Sequence, residues 1–279
     1  MGDMKAKLFS DNRATKDPVE YAANLQDANI LREVEAALLN KRTLLAFQPI
    51  VSSARAGRPV FWEGLVRLRD AQGRILPAAD FMMAVEAHEL GREIDCASLE
   101  LGLTELRNFP SLRLAVNLSA RSIGNAKWMQ ILERGLAIDP TIGERLILEI
   151  TESSVLACGP KVLRFMASLH ARGISFALDD FGAGYTSLRQ LKDFTFDILK
   201  IDGSYIKDVD KDSDGQILVE AIVALAQKFD MLCVAERVER QEEADYLAKI
   251  GVDCLQGYHF AVPTLHPEWR DAPITNRRA

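Results

Sequence analysis

The residues of this 279-residue chain that could do chemistry end its apolar runs. Glu63 closes PVFWE, Asn117 closes LRLAVN, Glu149 and Glu152 close LILEITE, and Asp179 with Asp180 close SFALDD; Lys200 follows FDIL, Glu236 follows MLCVA, and Gln256 follows DCL. Singly, each reads as a strand terminator, and the DDFGAG stretch alone reads as an ordinary turn. Gathered in one cavity, the acids would repel one another strongly unless hard cations intervened. Carboxylates with an Asn carbonyl, and no His or Cys nearby, select Mg²⁺ or Mn²⁺ over zinc. Adjacent aspartates on a regular strand face opposite ways; where the backbone turns at the strand's exit, one can bridge two ions while the other reaches one. Two ions about 4 Å apart clamp the attacking and departing oxygens of an in-line displacement at phosphorus.

Eight β-like runs must position these groups: 44–50, 59–68, 112–119, 145–152, 175–181, 196–202, 231–238 and 253–260. From the second run onward most gaps carry a helical pattern; Ile217, Leu218, Ala221, Ile222, Leu225 and Phe229 mark one apolar face. Strands alternating with helices predict an α/β fold, a (β/α)8 TIM-like barrel whose active site lies at the C-terminal ends of the strands. The first gap, VSSARAGR, is too short for a crossover helix, so the first strand is expected to run antiparallel. We divide the chain into a polar N-terminal tail (1–20), an amphipathic helix (21–43) covering the barrel's outer layer or base, the barrel (44–265), and a loose C-terminal tail (266–279). Gly182 and Gly184 fit either a movable loop or a rigid turn.

Composition supports this reading. The chain is 48% hydrophobic and 27% charged, which indicates neither disorder nor a membrane span. A formal net charge of −6 without a basic stripe argues against a nucleic-acid polymer as partner. The polar N-terminus carries no signal-like apolar segment, so a cytoplasmic location is expected. Cys96, Cys158, Cys233 and Cys254 form no C-x-x-C pair, and the four histidines show no zinc spacing. DVDKDSDGQILVEA approaches a calcium loop, but Ala221 stands where the bidentate Glu belongs; an acid-capped helix start is expected instead.

The segments FQPI, EGLVRL, VNLSAR, LEITES, LDDFGAGYTSL, LKIDGSYI, VAERVE and QGYHF, taken in order, resemble the EAL family of cyclic di-GMP phosphodiesterases over residues 44 to about 263, without a cyclase signature. The resemblance implies two Mg²⁺ or Mn²⁺ ions, one held by Glu63, Asn117, Glu149 and Asp179 and the other by Asp179, Asp180 and Glu236. It makes Glu236 a general base, sets Lys200 near the attacked phosphate, gives Glu152 the loop after Asp180, and assigns Gln48, Arg67 and Gln256 to substrate binding. Hydrolysis of cyclic di-GMP to linear pGpG follows, and a homodimer and a regulatory protein partner fit the same resemblance. The alternative it leaves open is a weak or silent module serving as a cyclic di-GMP receptor or interaction regulator. Two positions depart from the family: Gly64 replaces Ala in the signature tripeptide, and Arg237 replaces Gly directly after Glu236. If position 237 takes positive φ, Arg there is strained by about 1–2 kcal/mol; otherwise its side chain points outward harmlessly.

Overall fold

All eight runs form strands in the computed structural model, which describes residues 18–55, 57–183 and 192–271, with side chains described for all of these except 18–26 and 156–158. The strands are β1 (Thr43–Ser52), β2 (Pro59–Arg69), β4 (Leu114–Asn117), β5 (Leu146–Thr151), β6 (Ser175–Phe181), β7 (Ile198–Ile201), β8 (Leu232–Ala235) and β9 (Cys254–Leu255). Neighbours pair in parallel from β2 through β4 to β9, and β1 closes the ring antiparallel to both β9 and β2. The short first connection thus does what its length requires. A further strand, β3 (Ile75–Pro77), pairs with the far end of β2 outside the ring. At three residues it is too brief to show a pattern in sequence.

The described helices are α1 (Pro18–Leu39), α2 (Met82–Val85), α3 (Glu89–Asn108), α4 (Ala126–Ile138), α5 (Glu152–His170), α6 (Gly203–Ile206), α7 (Ser213–Lys228) and α8 (Gln241–Lys249). Side-chain caps start several of them: His88, Asn125 and Thr151 accept from the backbone of Leu90, Trp128 and Ser154. Asp212 does the same for Asp214 at the head of α7, so the calcium-like acids include a helix cap.

Three expectations need correction. The buried stripe of α7 is Val219, Val223 and Ala226, whereas Ile217 and Leu218 are exposed. This helix is apolar almost all round, so its period fits two faces and packing decides between them. The N-terminal helix runs Pro18–Leu39 and not 21–43, while its packing of Val34 and Ala37 against Leu68, Phe81, Val85 and Ile94 on the outside of β2 is the outer-layer alternative expected for it. The start of the C-terminal tail is not loose: Trp269 meets Phe47, Trp62 and Phe109 edge-on, and Arg270 pairs with Glu105. An indole can bury its large apolar area at a barrel edge even within a short polar segment.

Gly64 lies in β2, and a Cβ there would stand 3.4 Å from the Ala115 carbonyl and from Leu45 Cδ1, which is ordinary contact. Gly64→Ala is therefore expected to stabilise the fold by about 0.5–1 kcal/mol by narrowing the unfolded ensemble. Thermal denaturation should show a midpoint raised by roughly 1–4 °C; a lower midpoint would mean that the strand cannot take the methyl group.

Candidate active site

Inside the ring two layers of side chains succeed one another. The deeper is apolar and buried: Ile50, Phe61, Ala115, Ile147, Ala177, Ile198, Val234 and Cys254. Side chains alternate along a strand, so the next inward position lies two residues on. Those positions are Glu63, Asn117, Glu149, Asp179, Lys200, Glu236 and Gln256; on the reversed β1 the count runs backward, to Gln48. One polar group per strand thus stands above one apolar group per strand.

Asp180 should point away, as the neighbour of an inward residue. Its φ of 54° and the shift in β6–β7 pairing between Leu178 and Phe181 bring it back. Carboxylate oxygens of Asp179, Asp180 and Glu236 consequently lie within 4.8 Å of one another.

The ammonium of Lys200, on a side chain 1% exposed, sits among four acids: 2.6 Å from Glu236, 2.8 Å from Asp179, 3.1 Å from Glu149 and 3.5 Å from Glu63. Glu63 also accepts from Asn117 Nδ2 at 3.0 Å and Gln256 Nε2 at 2.7 Å, and Gln256 Nε2 reaches Gln48 Oε1 at 3.1 Å. Burial raises the Glu63 pKa, but Lys200 and the amide donors outweigh it and hold the group below the usual range. Burial, then Glu63, pushes Glu149 well above that range. Burial lifts Glu236 to about 8 against the pull of Lys200. Burial and the Asp179 charge lift Asp180 to about 6. Burial would lower Lys200, yet Asp179, Glu149, Glu236 and Glu63 together raise it well above an ordinary lysine.

One ammonium cannot neutralise this many carboxylates, and the surplus acids retain protons in place of a counter-charge. When ionised, Glu149 keeps Oε1 as a buried acceptor without a donor, and Asn117 Oδ1 accepts no hydrogen bond among the described residues. Hard oxygen donors with excess negative charge fit divalent cations.

Without metal, the folded protein should lose stability as pH rises. Glu236 keeps its proton up to about pH 8 when folded but loses it near 4.5 when unfolded, so the folded state binds more protons in between. Its contribution is fully present below the unfolded pKa and is lost as pH rises through the folded one. In a chelator, the melting temperature should fall by roughly 5–10 °C between pH 6 and pH 8, and Mn²⁺ should flatten the profile while releasing protons. A flat profile in chelator would contradict the assignment.

Of the residues singled out from sequence, Gln48, Glu63, Arg67, Asn117, Asp179, Asp180, Lys200, Glu236 and Gln256 line one cavity of about 650 Å³. Glu149 lies beneath them with its side chain fully buried. Glu152 stands outside, its Oε2 accepting from Gly182 N at 2.8 Å. Gly182 is further pinned by Tyr205, whose hydroxyl donates to its carbonyl at 2.9 Å and whose ring lies 2.6 Å from where a Cβ would be. Its φ of 99° also requires glycine. Gly182 thus has the features of a fixed turn, while Gly184 lies outside the described residues.

Sequence reasoning missed Asp95 and Ser98, which α3 brings to the same cavity. Asp95 is buried and accepts from Ser119 N, Ser119 Oγ and Ser122 Oγ. Its one sequence signal is an acid set between the apolar positions Ile94 and Leu99, and that becomes legible only when the helix's inward face is known.

Three comparisons bear on this arrangement. The EAL domain profile matches residues 31–263. The bifunctional diguanylate cyclase/cyclic di-GMP phosphodiesterase MucR of Pseudomonas aeruginosa is 30% identical over 86% of this chain, covering 36% of that protein. Cyclic di-GMP phosphodiesterase PdeB of Shewanella oneidensis is 30% identical over 82% of this chain and 27% of its own length. The chain therefore spans about a third of the length of these curated relatives. Among solved structures, the PaMucR phosphodiesterase in complex with c-di-GMP superimposes with a TM-score of 0.77 at 30% identity, covering 85% of this chain and 97% of that one. An EAL domain protein from Listeria monocytogenes gives 0.75 at 28% identity, covering 86% and 96%. No helix among the described residues is long and apolar enough to cross a membrane.

Proposed function

From the premise that the chain belongs to the EAL domain family, we propose that it hydrolyses cyclic di-GMP to linear pGpG in the 650 Å³ cavity at the barrel mouth. The observation that carries the reading is the inward polar layer, with its surplus of carboxylates over the single ammonium of Lys200. Glu63, Asn117, Glu149 and Asp179 would hold one divalent ion, and Asp179, Asp180 and Glu236 a second. Bound there, Mg²⁺ or Mn²⁺ would supply the Lewis acidity that offsets charge developing at phosphorus.

The chain's own groups do the remaining work. In its ionised form Glu236 accepts the proton of the attacking water at a carboxylate oxygen. Lys200, held 2.6 Å from Glu236, donates to the oxygens of the attacked phosphate. Attack forms one P–O bond and breaks the bond to the 3′ oxygen, which leaves with a proton. Gln48, Arg67 and Gln256 orient the nucleotide, the planar fork of Arg67 suiting a phosphate or a guanine edge. Glu152 keeps Gly182 in place beside the Asp179–Asp180 turn.

The test is incubation of the protein with cyclic di-GMP and Mn²⁺ or Mg²⁺, followed by chromatography. Linear pGpG that disappears in chelator is the expected result. Nucleotide binding without product would select a receptor instead, and absence of both would overturn the reading.

A further inference from the structure

Among the described residues three cationic side chains line the cavity: Arg67, Lys200 and Arg237. Lys200 is engaged by four carboxylates, and Arg67 Nη1 donates to the Val66 carbonyl at 2.9 Å. Arg237 alone makes no hydrogen bond or ion pair among the described residues, although it is exposed at the rim and its charge acts on Asp180.

Its placement is built. The backbone at Arg237 has φ 53°, a left-handed conformation that disfavours every side chain. The side-chain stem lies flat on Gly203, where a Cβ would come within 2.3 Å of Arg237 Cδ and 2.6 Å of its Cβ and Cγ. Gly203 follows Asp202, the cap of α6, and the bareness of its backbone makes the seat. A strained backbone and a matching cradle together hold this side chain at the cavity wall, its guanidinium unpaired among the described residues, and strain of this kind collects at functional positions.

The geometry points to Arg237 as an additional anion-binding residue of this cavity, donating its fork to the phosphodiester that is not being cleaved. This assignment rests on the proposed cyclic di-GMP reading. A cyclic dinucleotide carries two phosphodiester anions. While one is attacked at the carboxylate cluster, the other must be accommodated elsewhere in the cavity, whose lining outside that cluster also carries the acid Glu239 and so calls for a cation. A guanidinium offers two parallel donors to phosphate oxygens.

Equilibrium binding of cyclic di-GMP in chelator, with the nucleotide confirmed intact afterwards, tests this on the wild type, Arg237→Gly, Gly203→Ala and the double variant. Arg237→Gly is expected to weaken binding at least about tenfold and to make it less sensitive to salt. The same variant should melt roughly 2–4 °C higher as the backbone strain is released. Gly203→Ala should weaken binding in the wild-type background, where it unseats the arginine, and change nothing further in Arg237→Gly. Binding by Arg237→Gly as tight as wild type, or weakened with unchanged salt dependence, would overturn the inference. Production of pGpG by the wild type would leave the phosphodiesterase reading standing in either case, and a wild type that fails to bind cyclic di-GMP would remove this inference directly.

Discussion

Asp179→Asn is expected to lower kcat for cyclic di-GMP hydrolysis by at least about 10³-fold, since it removes a donor from both groups of proposed ion ligands. Asp179 Oδ1 lies 2.8 Å from Lys200 Nζ, and its carboxylate belongs to the trio within 4.8 Å that includes Asp180 and Glu236. An amide keeps the shape but halves the acceptors, and it can turn an N–H toward an ammonium. Glu63→Gln should behave alike, because both Glu63 oxygens already accept from amide N–H groups of Asn117 and Gln256. Folding of Asp179→Asn should survive: removing one charge from an overfilled acidic cluster relieves repulsion, so its melting temperature in chelator should hold or rise, whereas Glu63→Gln, which sets an amide N–H against those donors and removes a charge that Lys200 stabilises, should melt lower. Initial rates at saturating Mn²⁺ with circular dichroism alongside provide the check, and a rate within tenfold of wild type would refute the assignment.

Lys200→Met tests the other sign of the cluster. Methionine nearly fills the volume but leaves the surrounding acids without their internal cation. Breaking a buried pair from one side typically costs about 3–5 kcal/mol, which for a chain of this size corresponds to a melting temperature lower by roughly 6–20 °C in chelator. Mn²⁺ should restore much of this loss, because divalent ions can neutralise the same carboxylates. Turnover should nevertheless remain down by about 10²–10³-fold, as after loss of one transition-state donor. Stability restored together with full turnover would confine Lys200 to a structural role.

The barrel was legible because its eight strands are compact apolar runs, seven of them delivering a polar residue at the same end, and the short VSSARAGR link left one direction for the first strand. Much of the site was legible for a related reason. Phe61 and Glu63, Ala115 and Asn117, and Ile147 and Glu149 are spaced by the strand period, so the apolar and polar layers are written into each run. What stayed hidden depends on contacts between distant segments. Asp95 sits on a helix whose inward face is chosen by packing, and its burial is balanced by serines far along the chain. The buried face of α7 was lost in a helix with too many apolar residues. The left-handed backbone at Asp180 was foreseeable only as a need for the strand to turn, and that at Arg237 only as a conditional strain.

The reversed first strand has a further effect. Thr43 pairs with Leu68, so the chain threads into the ring from the side where the nucleotide would enter, and α1 docks beside that opening. Ile94 belongs both to the cluster beneath α1 and to the cavity wall. A twist applied to α1 would thus arrive at the cavity across a single layer of side chains. Had β1 run with its neighbours, the same helix would be tethered at the far floor, with the whole apolar plug between handle and chemistry.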